Sequence, residues 1–186
     1  MKTFNEYLRD SGISEDLFGV LQSLTDAVKI ISKTVKTAET GKAGTSNIYG
    51  EEQLALDVLS DRIIQDELKK NVKVGLIASE ELTDEMKFGD GEFAVAYDPL
   101  DGSSLVDVNL AVGSIFGIYK TKSFIGVKGE EQLASMIAVY GPRTTIVLTV
   151  KKGVTEFVLN SENEFVVRKE LNQLEEKLLQ LIKSLE

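Results

Sequence analysis

Asp98 and Asp101 stand three residues apart, and Gly102, Ser103 and Ser104 follow at once, in the run VAYDPLDGSS over residues 95–104. Strand-forming residues that halt at Pro99 and Gly102 mark a turn. Two aspartates flanking one turn suit a particular chemistry: both can ligate the same hard cations, with the Leu100 carbonyl between them. Mg²⁺ takes oxygen ligands in near-octahedral array and often completes its shell with substrate phosphate. Gly102 lets the backbone approach closely, so that the N–H groups of Ser103 and Ser104 are able to cradle a phosphate. Against this stands the plain alternative of a solvated loop whose aspartates cap their own backbone.

Further acidic residues stand at two other breaks in the pattern. GEEQLALDVLSD carries Glu51 and Asp57 on a helix or its entry, and ASEE carries Glu80 and Glu81 just past an apolar strand. Composition narrows what these groups are able to do. The chain has no histidine and no cysteine, which removes imidazole bases, thiolate nucleophiles, disulfides and most zinc sites. Catalysis in such a chain falls to carboxylates, hydroxyls, backbone groups and hard cations. The formal net charge of −9, with no clustered Lys and Arg, argues against nucleic acid as a partner. An acidic protein that holds a phosphorylated substrate needs cations to offset repulsion, which again favours a divalent metal. No apolar run approaches the roughly 18 residues of a membrane span and no signal peptide is evident, so a soluble cytoplasmic protein is expected, without a membrane partner.

The elements that must position these groups change character along the chain. Over residues 14–38, Leu17, Val20, Leu21, Leu24, Ala27, Val28, Ile31 and Val35 recur on one helical face, opened by Ser14 as N-cap. A glycine-containing loop precedes a second predicted helix, residues 51–70, with Leu54, Val58, Leu59, Ile63 and Leu68 assigned to the core. From residue 72 onward short β-type runs take over: VKVGLIA, EFAVAY, NLAVGSIFGIY, ASMIAVYG, TTIVLTV, TEFVLN and EFVVRK. Helices followed by closely spaced strands predict an α+β fold, with two amino-terminal helices packed on a largely antiparallel sheet. The division expected is a domain over residues 1–168 and a leucine-rich amphipathic helix over 169–186. In that tail Leu171, Leu174, Leu178, Leu181 and Leu185 form a heptad-like seam. Two heptads are short for an independent coiled coil, so the seam is expected to pack on the domain or to form a small homo-oligomer contact.

GTSNIYGEEQLALDVLSD, ASEE, AYDPLDGSSLVDVNLAVGSIFGIY and AVYGPRTTIVL together resemble successive blocks of class I fructose-1,6-bisphosphatases, in order and at similar spacing. DPLDGSS resembles the signature of the wider lithium-sensitive, metal-dependent sugar- and inositol-phosphatase superfamily. Four ordered blocks lift the run out of the solvated-loop reading. The resemblance covers residues of about 14 to 168 and is to the amino-terminal half of the family's catalytic unit; the sugar-phosphate-binding half has no counterpart in this sequence. It implies release of the 1-phosphate of a sugar bisphosphate, fructose 1,6-bisphosphate first among them, with Mg²⁺ or Mn²⁺ as cofactor. Leu105, directly after the signature, also resembles sedoheptulose-bisphosphatases.

Position by position, the resemblance implies metal ligation by Glu80, Asp98, Asp101 and the Leu100 carbonyl. It also places Glu51 at a third metal position, where the family often has Asp. Asp57 and Glu81 match the acidic pair that helps deprotonate the attacking water, and Gly102, Ser103 and Ser104 match contacts to the departing phosphate. The family's AMP site lies beside the first long helix, here around Ser14 to Phe18; two of its basic positions are Glu92 and Glu130, which implies no AMP inhibition. The alternative function is a non-catalytic domain that folds, self-associates and retains a relic metal or phosphate site.

Overall fold

The structure, a computed structural model, describes residues 1–37, 42–46, 52–150 and 153–170, with the backbone alone for 42–46 and 52–54. Helix α1 (Phe4–Asp10) was not anticipated, although its signal is present in the sequence as Thr3 three residues ahead of Glu6. The Glu6 N–H donates to Thr3 Oγ1 at 3.2 Å and the Thr3 N–H donates to Glu6 Oε2 at 2.7 Å, a reciprocal cap on two otherwise orphaned donors. Helix α2 (Glu15–Thr34) begins as predicted, with Ser14 Oγ accepting from the Leu17 N–H at 3.2 Å. Its seven predicted core residues from Leu17 to Ile31 are buried, and Val35 is partly so.

The second predicted helix is shorter than expected. Residues Lys42–Ser46 (β1) and Glu52–Leu54 (β2) pair as a small antiparallel sheet, and α3 runs from Ala55 to Lys69. Its inward face also differs: Leu56, Asp57, Ser60, Asp61, Ile64, Gln65 and Leu68 are buried, whereas Leu59 is exposed and Val58 and Ile63 are only half-buried. The helix turns a partly polar stripe to the sheet because the sheet offers it polar partners.

The large sheet has eight strands: β3 (Val74–Ser79), β4 (Met86–Lys87), β5 (Phe93–Asp101), β6 (Val112–Tyr119), β7 (Ala134–Tyr140), β8 (Thr144–Val150), β9 (Thr155–Leu159) and β10 (Phe165–Glu170). Their spatial order is β10-β9-β8-β7-β6-β5-β3-β4. All neighbours are antiparallel except β3 and β5, which run parallel. Alternation buries one face under the helices: Tyr97, Phe116, Met136, Leu148 and Phe157 point into one core with α2, and Phe4 and Tyr7 of α1 meet Phe157 edge-on at 5.0 and 5.2 Å. The predicted α+β arrangement stands, with three helices rather than two on that face. Strand β10 reaches Glu170, two residues beyond the expected boundary at 168. The tail helix predicted over residues 169–186 is corrected at its start, since Lys169 and Glu170 belong to β10; its remainder, 171–186, lies outside the described residues, as does Glu51. Among the described residues no helix is long and apolar enough to cross a membrane.

Candidate metal and phosphate site

The parallel pair creates the site. Ser79 of β3 lies opposite Tyr97 of β5, and the Glu80 N–H continues the ladder by donating to the Tyr97 carbonyl at 3.2 Å. Parallel strands end at the same edge of a sheet, so the next residue of each, Glu80 and Asp98, emerge as neighbours. Their carboxyl groups are within hydrogen-bonding reach of each other, and Asp98 is half-buried. Burial first, then the hydrogen bond and repulsion from Glu80, push the Asp98 carboxyl up to about 7. The Leu100 N–H, donating to Asp98 Oδ1 at 3.0 Å, opposes this in part, while Asp101 adds to the repulsion. Two carboxyls in this position share a proton at neutral pH, or they share a cation.

Beyond Asp98 the strand bulges. Asp98 faces Ile115 and Asp101 faces Gly113, so β5 takes three steps where β6 takes two. Pro99 lies inside the bulge, where its missing N–H forfeits no ladder bond. Its carbonyl accepts from Ser114 Oγ at 2.7 Å, and Ser114 Oγ lies 2.8 Å from the Tyr140 hydroxyl. Ser114 and Tyr140 are buried, and burial pushes the Tyr140 phenol above its ordinary range. This buried relay fixes the bulge from below, the Leu100 side chain is buried beside it, and Asp101 is exposed on the outer rim. Gly102 follows at φ 76°, a left-handed conformation that glycine adopts without steric cost, and its carbonyl accepts from Leu105 N at 2.8 Å. Ser103 and Ser104 open the 3₁₀ turn Ser103–Val108, so their N–H groups have no acceptor within that turn.

Helix α3 supplies a third set of groups. Asp57, Asp61 and Gln65 recur at four-residue steps on its inward face, and all three are buried. Tyr97 donates its hydroxyl to Asp61 Oδ1 at 2.8 Å and Gln65 Nε2 donates to Asp61 Oδ2 at 2.6 Å. Burial and the Asp61 carboxylate hold the Tyr97 phenol far above its ordinary range. The short turn after α3 reverses the chain into β3, so the start of the helix lies toward the ends of β3 and β5. Asp57 lies one helical turn, about 6 Å, nearer that start than Asp61. Glu81 follows Glu80 in a turn held by its own N–H donating to Ser79 Oγ at 3.2 Å, and it is half-buried.

The structure thus brings Glu80, Asp98 and Asp101 to one strand edge, and it buries Asp57 on the inward face of α3. As placed, no group of three or more acidic side chains among the described residues stands close enough to hold a metal ion. The donor type nonetheless fits a hard divalent cation: every available ligand is oxygen, and the Glu80–Asp98 pair carries repulsion that a cation relieves. Asp61, Gln65, Tyr97, Ser114 and Tyr140 escaped the sequence reading. Asp61 had one local signal, its four-residue step from Asp57; the others declare themselves only through contacts made by folding.

The sequence matches the family "Fructose-1-6-bisphosphatase, N-terminal domain" over residues 3–170. The chain belongs to the fructose-1,6-bisphosphatase family. A class 1 fructose-1,6-bisphosphatase of Pelobacter propionicus is 47% identical over 172 residues, 91% of this chain and 53% of the relative. The corresponding protein of Geobacter sulfurreducens is 48% identical over 167 residues, 88% of this chain and 53% of the relative. The chain therefore spans about half the length of the curated fructose-1,6-bisphosphatases it matches. Among solved structures, Leishmania major fructose-1,6-bisphosphatase in holo form superposes with a TM-score of 0.84 at 27% identity, covering 91% of this chain and 59% of that one. A candidate sedoheptulose-1,7 bisphosphatase of Toxoplasma gondii follows at a TM-score of 0.83 and 29% identity, covering 91% and 59%. The match to the fructose-1,6-bisphosphatase domain ends at Glu170, the last residue of β10.

Proposed function

We propose that this chain carries the phosphoryl-transfer half of a fructose-1,6-bisphosphatase-type phosphomonoester hydrolase, releasing the 1-phosphate of a sugar bisphosphate. One observation carries the reading: the parallel pairing of β3 and β5 places Glu80 beside Asp98, directly ahead of the Asp101–Gly102–Ser103–Ser104 turn. Glu80, Asp98, Asp101 and the Leu100 carbonyl are the groups proposed to hold Mg²⁺ or Mn²⁺, with Glu51 as a further ligand. When bound, the metal supplies positive charge that polarises the phosphoryl group and offsets its repulsion from an acidic protein.

The chain's own residues do the rest. The Ser103 and Ser104 N–H groups position the phosphate, and Gly102 permits its approach. Asp57 and Glu81 accept the proton of the attacking water. The water oxygen forms a bond to phosphorus as the bond from phosphorus to the sugar oxygen breaks. The sugar oxygen leaves with the electron pair and takes up a proton, giving the monophosphate and inorganic phosphate. A second reading, a metal- or phosphate-binding domain without turnover, draws on the half-length match: distal contacts that orient a substrate contribute binding energy to the chemical step.

Phosphate release from fructose 1,6-bisphosphate, with Mg²⁺, Mn²⁺ or EDTA, beside Asp101→Asn, tests the first reading. Metal-dependent release that the substitution abolishes is expected. Equal background release from both proteins, with Mn²⁺ binding intact by calorimetry, leaves the second.

A further inference from the structure

A cavity of about 580 Å³ opens where the end of α2, the 3₁₀ turn Ser103–Val108 and the turn joining β7 to β8 meet. That volume falls among the roughly 300–1,000 Å³ of small-molecule sites. Val35, Val106, Leu110 and Pro142 supply apolar wall. At its back the polar atoms are already engaged: Ser32 and Thr144 bond through their hydroxyls, and the Tyr140 hydroxyl is held by Ser114. Tyr140, which also lines the cavity, is left with its ring to offer. The lip is apolar as well, Leu110 being 58% exposed and neighbouring Val108 64%. Among the described residues that line the cavity, Lys36 alone is charged and none is acidic. Lys36 is exposed and makes no ion pair with a described residue. Asn109, held at φ 58°, adds a side-chain amide. None of Asp57, Glu80, Asp98 and Asp101 lines this space, so it is separate from the candidate metal site.

We propose that this cavity binds a small amphipathic carboxylate. Its apolar body lies against Val35, Leu110 and the Tyr140 ring, and its head accepts from the Lys36 ammonium and the Asn109 amide. The proposal is independent of whether the chain hydrolyses phosphate. Charge and wall together select this class of ligand. A cationic amphiphile would meet Lys36 with like charge. A sugar phosphate would bring a dianion to a single cation and bury little apolar surface. A bare carboxylate has too little to hold it, because a chain of net charge −9 exerts no long-range attraction on an anion. The apolar body supplies what is lacking: each methylene it buries tightens binding about fourfold. The cavity also lies behind the site bulge, since Tyr140 is joined through Ser114 to the Pro99 carbonyl.

Calorimetric titration of the full chain with acetate, hexanoate and octanoate, beside octyltrimethylammonium, tests the proposal. Saturable binding of octanoate is expected, weaker for hexanoate and undetectable for acetate and for the cation. Lys36→Glu and Leu110→Asp are each expected to weaken octanoate binding several-fold. Ile137→Asp, on the opposite face of the sheet and 43% exposed, is expected to leave it unchanged. All three substitutions are at exposed positions, and circular dichroism checks that each variant keeps its fold. Absence of saturable octanoate binding overturns the proposal. So does equal binding of octyltrimethylammonium, or a loss caused by Ile137→Asp and not by Lys36→Glu, which would assign the binding to exposed apolar surface elsewhere.

Discussion

Tyr97 donates its hydroxyl to Asp61 across 2.8 Å, tying the inward face of α3 to β5 one residue before Asp98. Neighbours on one strand thus serve opposite faces. Tyr97 locks the helix that carries Asp57, and Asp98 faces outward beside Glu80. Removing the hydroxyl leaves Asp61 a buried carboxylate with one donor fewer. Tyr97→Phe is expected to lose about 1–3 kcal/mol in urea unfolding. A change below a few tenths would show that Asp61 has other means of solvation.

Ser114 links the site bulge to the sheet interior. Ser114→Ala strands both the Pro99 carbonyl and the Tyr140 hydroxyl, whereas Tyr140→Phe leaves the contact to Pro99 in place. Ser114→Ala is therefore expected to cost about 1–3 kcal/mol and to weaken Mn²⁺ binding several-fold. Tyr140→Phe is expected to lower stability with Mn²⁺ affinity nearly unchanged. Calorimetric titration beside urea melts distinguishes the two; equal losses of metal affinity would remove Ser114 from a positioning role.

The Asp98 carboxyl gives metal-free protein a pH signature. Its folded pKa is raised, from 3.8 to about 7, so across that interval the folded state binds more protons than the unfolded state. Stability then falls as pH rises through the window, and the loss is complete above it. Thermal melts in EDTA are expected to show Asp98→Asn more stable than the unaltered chain at pH 8 and with a flatter slope between pH 5 and 8, whereas saturating Mg²⁺ is expected to stabilise only the unaltered chain. Identical slopes for the two proteins would disprove the assignment.

Gly75 and Gly91 lock the start of the parallel pair. A Cβ on Gly75 would collide with the Gly91 carbonyl oxygen, and one on Gly91 with the Lys73 backbone. Both obstacles are main chain, which side-chain repacking does not relieve. Gly75→Ala is expected to cost about 3 kcal/mol or to abolish soluble expression, while Gly89→Ala, in open space, is expected to be neutral within about 0.5 kcal/mol.

Glu92 pairs with Lys120 at 2.7 Å and Lys73 pairs with Asp16 at 3.0 Å, so acids and bases neutralise one another at the start of α2 and just ahead of β5. A nucleotide phosphate finds no concentrated positive charge there. Millimolar AMP is expected to leave the melting temperature unchanged; a clear upward shift would refute this.

Local pattern made much of the molecule legible. Each of the seven β-type runs contains a strand, and α2 starts at its Ser14 cap, because alternation, helical periodicity and capping are written in adjacent residues. The second helix was misread at Glu52–Leu54, and its core face misassigned at Leu59. The apolar spacing of Leu54, Val58 and Leu59 gave no sign that Asp57, Asp61 and Gln65 would face inward toward a tyrosine 36 positions away from Asp61. GDG at 89–91 reads as turn punctuation, yet Gly91 is a point of backbone contact between chain segments.

By itself, the sequence determined which side chains were available for chemistry. With neither imidazole nor thiol it left carboxylates and backbone groups, and it marked a break in the strand pattern at Pro99 and Gly102, which the fold realises as a bulge within β5 followed by the left-handed Gly102. Tertiary structure decided which of those groups meet. Strand order puts β3 beside β5, and parallel register then sets Glu80 against Asp98. Such contacts depend on hydrogen-bond register across the sheet and on which face each strand buries, and those are settled only when the whole sheet closes over its helices.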